Sequence, residues 1–368
     1  MKHYSAENLR NIALVGHGSE GKTTLAETML FNAGAIDRMG RVEDGSTVTD
    51  FDTEEIKRKI SISAAFAPVE WHNCKLNIID APGYFDFIGE QLQTLRLADS
   101  ALIVIGAVSG LTVGAEKAYE LCEECAKPRA FFINQIDREH ADFEKIYMQL
   151  HEKYGTSVMP VMIPIMEDAK LVGYVDVIKK KAMYAQGKGY RAEDVPASLA
   201  DFTELCNIAV VEAAAESDDE LMEKYFSGET LSEQELVAGL HWSIAAGRVA
   251  PMLAGSASQN LLIDAAMDKL SALMPSPLDL PGMRVEHAKT GELVAVNCDP
   301  KEPFAAQVVK TVADPFVGKL SILRVYAGEL KSGMTVYNPR SEKQEKIGTV
   351  YIMNGKKQIG RASCRERV

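Results

Sequence analysis

No stretch of the sequence approaches the roughly 18 uninterrupted apolar residues of a membrane-crossing helix. Residues 1–10 are polar and lack the apolar centre of a secretory signal. These two absences predict a cytoplasmic protein without a membrane partner. Basic residues are outnumbered as well: 40 Lys and Arg face 52 Asp and Glu, for a net charge of −12. That balance argues against a surface built throughout for nucleic acid, although a local basic patch can still touch RNA. Cysteine is sparse, with six residues at 74, 122, 125, 206, 298 and 364. Cys122 and Cys125 form a CxxC, but it falls in a helical pattern over 116–126 with no second pair at zinc-like spacing. All six read as reduced thiols. There is no internal repeat.

What is present points to more than one domain. The chain has 368 residues and is 46% hydrophobic, enough for two or three cores. Short apolar runs at 12–15, 76–79, 101–105, 130–133 and 249–253 are each followed by a turn and a helix-like stretch. Continuous apolar strands alternating with helices predict a mainly parallel sheet of six or so strands, covered on both faces. Ligands bind such sheets at the C-terminal strand ends. The acidic segment at about 165–247, strand-like at 171–177 and helical over 199–225, reads as an α+β insertion. The run MPSPLDLP at 274–281 opens a linker. The expected division is an α/β domain over 1–276, a linker over 277–300 and a partial all-β barrel over 301–358. Barrel strands are expected at 304–311, 320–327, 335–337 and 346–351.

Four motifs sit at the predicted strand ends. Gly16, His17, Gly18, Ser19, Glu20, Gly21, Lys22 and Thr23 fit GxxxxGK[ST] between a strand and a helix that begins near Thr24. Such a loop turns backbone N–H groups toward phosphate oxygens and adds the positive end of the helix. Lys22 brings a charge to the β- and γ-phosphates, and Thr23 a hydroxyl to Mg²⁺. Asp80-Ala-Pro-Gly83 ends the strand at 76–79. Its carboxylate can hold Mg²⁺, and Gly83 can present an N–H to a γ-phosphate. Asn134-Gln135-Ile-Asp137 follows the strand at 130–133. A carboxylate placed there accepts from guanine N1–H and the N2 amine, donors that adenine lacks in that arrangement, so GTP is expected over ATP. Gly255, Ser256 and Ala257 end the strand at 249–253, where their N–H groups can meet guanine O6.

In this order the motifs resemble a translational GTPase, and the details resemble elongation factor G. DAPGYFDF at 80–87 is similar to that family's DTPGHVDF, RKISI at 58–62 to its RGITI, and TVADPFVGKL at 311–320 to the opening of its second domain. The resemblance runs from about 8 to 358 and implies a P-loop GTPase domain with an inserted subdomain, followed by translation-factor domain II. It also implies GTP/GDP and Mg²⁺ as ligands, with Thr23, Ser61 and Asp80 at the metal. It implies a catalytic group of Tyr84, Lys22 and Gly83, and a ribosomal partner, both rRNA and ribosomal proteins. Contact with tRNA and mRNA would come only through further C-terminal domains, and a monomer is expected. The chain also departs from the family. Tyr84 stands at the His that positions the attacking water, Ser61 at the switch Thr, Gln135 at the Lys of NKxD, Ser19 at a P-loop Asp and Lys59 at a Gly. These departures imply an elongation-factor-G-like branch with slow intrinsic hydrolysis. Residues 359–368 lose the likeness abruptly and can be read from a sequencing-library adapter, so they are expected to be an artefactual tail. Three other readings remain: a ribosomal protection protein, a GTP-dependent ribosome-binding switch with poor hydrolysis, and a P-loop ATPase or kinase.

Overall fold

Strands that are apolar from end to end build the first domain. β1 (Leu9–Val15), β3 (Cys74–Asp80), β4 (Ser100–Gly106), β5 (Arg129–Asn134) and β11 (Ala250–Ala254) are buried at every position. A strand buried on both faces needs helices above and below, which is why these runs do not alternate. The computed structural model describes residues 2, 4–187, 189–287, 290–314 and 318–359. With β2 (Ala65–Trp71) and β6 (Val158–Pro160), it places seven strands in the order β2-β3-β1-β4-β5-β11-β6. All neighbours run parallel except the edge strand β2, which is antiparallel to β3. The five expected strands are therefore all present. β2 and the short β6 complete the sheet.

The helices that cover it are α1 (Lys22–Asn32), α3 (Ile88–Leu97), α4 (Val113–Glu124), α5 (Phe143–Tyr154) and α9 (Ile263–Leu273), while the short α2 (Thr53–Arg58) lies in the irregular segment before β2. Several begin at side-chain caps. Asp142 accepts from Lys145 N at 2.9 Å to start α5, and Asp52 and Glu55 form a reciprocal capping box on α2. Cys122 is buried on α4, where loss of solvation pushes its thiol up to about 12, and Cys125 follows at the helix end.

The insertion lies between β6 and β11, two strands that pair directly in the main sheet. It opens with an antiparallel sheet of β7 (Met162–Glu167), β8 (Lys170–Asp176), β9 (Lys181–Gln186) and β10 (Gly189–Glu193), in sequential order. Three helices follow: α6 (Ala197–Ala215), α7 (Asp219–Ser227) and α8 (Glu233–Ala245). The single helical stretch expected over 199–225 is interrupted because Asp218 accepts from Glu220 N and Leu221 N and starts a new helix. One apolar cluster runs through both the parallel sheet and the insertion.

The segment expected as a linker carries a hairpin, β12 (Met283–Glu286) with β13 (Leu293–Val296). Beyond it the chain is antiparallel: β14 (Ala305–Asp314) pairs with β15 (Gly318–Ala327), β16 (Thr335–Asn338) with β17 (Lys343–Lys346), and β18 (Ile352–Asn354) with β19 (Lys357–Ile359). A strand expected over 346–351 is not formed. The ladder ends at Lys346, and Ile347 and Val350 instead pack on the small core around Val325 and Leu330. Residues 315–317 of the stretch resembling domain II, and 360–368 of the expected tail, lie outside the described residues.

Two partly buried ion pairs tie this β region to the α/β domain. Arg324 donates to Leu97 O at 2.6 Å and pairs with Asp99, which also accepts from Asn11 Nδ2 at 2.7 Å. Lys310 Nζ lies 2.6 Å from Glu90 Oε2 on α3.

Candidate functional site

Because β1, β3, β4, β5 and β11 are parallel, their C-terminal ends share one edge of the sheet. All four sequence motifs leave from that edge. Gly16 and Gly21 adopt φ of 127° and 87°, a region costly for residues with a Cβ. A Cβ on Gly16 would stand 2.5 Å from Val104 O, and one on Gly21 would run into the Asn134 side chain. The loop therefore folds tightly over the strand ends, and α1 begins at Lys22.

Lys22 is buried, with its ammonium donating to Gly16 O at 3.1 Å and His17 O at 2.6 Å. Burial lowers its pKa to about 8, against the opposing pull of Asp80, Glu20 and Asp50. Thr24 sits in the first turn of α1, and its carbonyl accepts from Thr28 Oγ1 at 2.7 Å. Glu20 turns its carboxylate away from the loop and takes Ser109 Oγ at 2.8 and 2.9 Å. His17 has a buried Nδ1 without a partner and meets Phe85 edge-on at 6.5 Å.

Beside Lys22 lies a cluster of hydroxyls and acids. Asp80 Oδ2 accepts from Thr23 Oγ1 at 2.7 Å and Thr49 Oγ1 at 3.0 Å, while Asp80 Oδ1 is buried with no partner. Ser61 Oγ stands 3.0 Å from Thr23 Oγ1. Burial raises the Asp80 pKa. Asp50 is pushed up to about 7, first by burial and then by the Asp80 charge, with the Ser61 hydrogen bond pulling the other way. Two buried carboxyl groups among hydroxyls, one with an oxygen left unpaired, form a hard-oxygen donor set that fits Mg²⁺.

Gly83 lies against the loop, since a Cβ there would meet Lys22 Nζ and Gly18 N. Tyr84 follows, about a third exposed (36%), with its ring over Gly18 and its phenol oxygen 3.4 Å from Ser19 Oγ.

The other end of the site is held by Asn134. Its Nδ2 donates to Glu20 O at 2.9 Å, and its Oδ1 accepts from Ala257 N at 3.0 Å. One side chain thus joins the first and fourth motifs. Gln135 adopts φ 61°, and its amide reaches toward Gly21. Asp137 keeps one buried carboxylate oxygen, Oδ1, without any partner. The N–H groups expected to meet a base are already engaged: Gly255 N on Ile133 O at 3.0 Å, Ser256 N on Leu261 O at 3.0 Å and Ala257 N on Asn134. A base carbonyl meeting this loop must share or displace one of these bonds.

Sequence reasoning missed several residues of this edge. Thr49 and Asp50 enter the acid–hydroxyl cluster from an irregular segment. Glu27 on α1 accepts from Gly40 N at 2.9 Å and Val48 N at 2.8 Å, fastening that segment to the helix. Glu55 accepts from Ile62 N and Ser63 N at 3.0 and 3.1 Å, fastening the backbone just after Ser61. Glu90 accepts from Ala64 N at 2.7 Å as well as from Lys310. None of these carries a periodic signal. The run TVTD at 47–50, hydroxyls next to an acid, was the available clue.

The model of the elongation factor Tu GTP binding domain matches residues 7–276, and that of elongation factor G domain 2 matches residues 303–361. A crystal structure of a protein from Thermus thermophilus superposes with a TM-score of 0.83 at 30% identity. The match covers 96% of this chain and 50% of that one, so the chain spans half the length of this relative.

Proposed function

Because the chain belongs to the translational GTPases of the elongation factor G type, we propose that it binds GTP with Mg²⁺ and hydrolyses it on the ribosome. In a longer protein this would serve translocation or a related step. The observation that carries the reading is the base end of the site: Asn134 joins Glu20 to Ala257 and leaves the buried Asp137 Oδ1 unpaired. An unpaired buried carboxylate oxygen is costly, and guanine supplies the donors that relieve it.

In this reading Gly16 to Thr24 cradle the phosphates with backbone N–H groups, and Lys22 Nζ exchanges its two carbonyl partners for phosphate oxygens. Thr23, Ser61 and Asp80 hold Mg²⁺. When bound, the ion neutralises charge on the β- and γ-phosphates. Gly83 presents its N–H at the γ-phosphate end, and Tyr84 orients the attacking water through its phenol. Residues 1–276 act as the GTPase unit, with the insertion at about 165–247, and residues 301–358 as the docking barrel. The partners are rRNA and ribosomal proteins, met by a cytoplasmic monomer.

The test is phosphate release from GTP and ATP over many turnovers, with and without ribosomes. Stimulated turnover of GTP alone supports the proposal. Equal turnover of ATP, or no ribosomal stimulation, contradicts it.

A second reading, a ribosome-binding switch that hydrolyses slowly, is favoured by Tyr84, because a phenol gains no positive charge near neutral pH as an imidazole does. Tyr84→His measured under single turnover separates the two. A rise in rate means that position 84 limits the chemistry; an unchanged rate removes this support for the slow switch.

A further inference from the structure

Two departures from the family pattern, Ser19 and Tyr84, are distant in sequence but touch in the structure. Tyr84 folds back onto the P-loop so closely that a Cβ built on Gly18 would stand 2.8, 2.9 and 3.1 Å from three of its ring carbons. Gly18 does not use the left-handed backbone region that Gly16 and Gly21 need. Its missing side chain is therefore explained by the ring above it, not by backbone geometry. Ser19 is the reverse case. It holds φ at 64°, a conformation glycine takes more readily than any residue with a Cβ. What its side chain gains there is the phenol, 3.4 Å from Ser19 Oγ to Tyr84 Oη. One residue clears space for the ring and the next gives its oxygen a partner. Where the resemblance puts an Asp at position 19 and a His at position 84, this chain places two hydroxyls in contact.

We propose that Gly18 and Ser19 form a seat for the Tyr84 side chain and act as its positioning residues, holding the phenol over the phosphate end of the nucleotide site. The catalytic consequence rests on the GTPase reading; the seat itself does not. The contribution of the phenol then depends on where the Gly18 and Ser19 contacts hold it.

The experiment uses the full chain labelled with 3-fluorotyrosine. Among its 12 tyrosines, the Tyr84 resonance is identified by its loss in Tyr84→Phe. Gly18→Ala pushes a methyl into the ring without straining the backbone, and Ser19→Gly removes the hydroxyl while keeping the loop conformation. Both are expected to move the Tyr84 fluorine signal toward that of free fluorotyrosine and leave the other signals in place. In single-turnover GTP hydrolysis, Ser19→Gly is expected to slow the reaction about fivefold, the effect of one hydrogen bond. Its effect and that of Tyr84→Phe should fail to add. Ser19→Asn, which tolerates the left-handed backbone and keeps a donor, should recover most of the loss. An unmoved Tyr84 signal in both variants, or fully additive rate effects, overturns the proposal. If the chain hydrolyses no GTP, the functional reading fails, and the fluorine signals alone decide the seat.

Discussion

The two ends of the candidate site are built on opposite principles. At the base end, Asn134 satisfies groups on two separate loops, and the N–H groups of 255–257 all have partners. One buried acceptor, Asp137 Oδ1, is left over. At the phosphate end little is at rest. Lys22 is drawn toward neutrality, Asp50 and Asp80 are drawn toward protonation, and an Asp80 oxygen has no partner. The base end is a finished scaffold with a single vacancy for hydrogen-bond donors. The phosphate end is a set of mismatched charges that a polyanion and a cation would resolve together. Selectivity can therefore be set by rigid geometry, while affinity and chemistry depend on what neutralises the charges.

The comparison is broken most severely at its hinge. Asn134→Ala leaves Glu20 O and Ala257 N buried without partners, at a cost of about 2–4 kcal/mol in unfolding free energy. Denaturant unfolding of the nucleotide-free chain measures it, and an unchanged midpoint would mean that the base end is not the scaffold described. Thr23→Ala acts on the other end. It should weaken Mg²⁺-dependent GTP binding by about tenfold or more and leave metal-free binding nearly unchanged, as titrations with and without chelator would show.

A third test uses the acids. A carboxyl whose pKa is raised on folding destabilises the folded chain once pH passes above its unfolded value. The penalty is fully developed above the folded value of about 7 for Asp50. Asp50→Asn should therefore raise the melting temperature of the nucleotide-free chain at pH 8, with the gain shrinking as pH falls through 7 toward 4. A gain that grew on acidification would reverse the assignment. The smallest effect is expected at Gln135→Lys. The longer aliphatic stem covers more of the base and should tighten GTP binding about fivefold, without altering the preference over ATP.

Much of this was legible in the sequence, for a physical reason. Strands such as β1 and β5 are buried on both faces, so their apolar runs are unbroken and the loops after them are fixed in place. Gly16, Lys22, Asp80, Asn134 and Asp137 could be placed on one edge by strand order alone. The segment from 36 to 64 was opaque to periodicity, and within it only RKISI at 58–62, with Ser61, stood out, by its resemblance to the family. Apart from α2 it has no regular structure, and side-chain carboxylates, Glu27 and Glu55, hold it by accepting from its backbone. Hydrogen bonds of that kind leave no periodic trace, so Thr49 and Asp50 are marked only by the short hydroxyl–acid run TVTD at 47–50. The contact between Ser19 and Tyr84 is hidden differently: each residue stands out as a departure from the family, but their meeting depends on how the turn after Gly83 folds back. The antiparallel character of the β region is legible in its alternating runs, and its last expected strand fails because Ile347 and Val350 serve a small core instead of a ladder.

The most direct test of the account is nucleotide selectivity at Asp137. Binding of GTP, ATP and xanthosine triphosphate should be measured on the wild-type chain and on Asp137→Asn, in the presence of Mg²⁺. The account predicts that the wild type prefers GTP, and that the variant loses about a hundredfold in GTP affinity while gaining xanthosine triphosphate, whose donor–acceptor pattern suits an amide. Equal binding of ATP and GTP by the folded wild type, or a variant with unchanged preference, would contradict it.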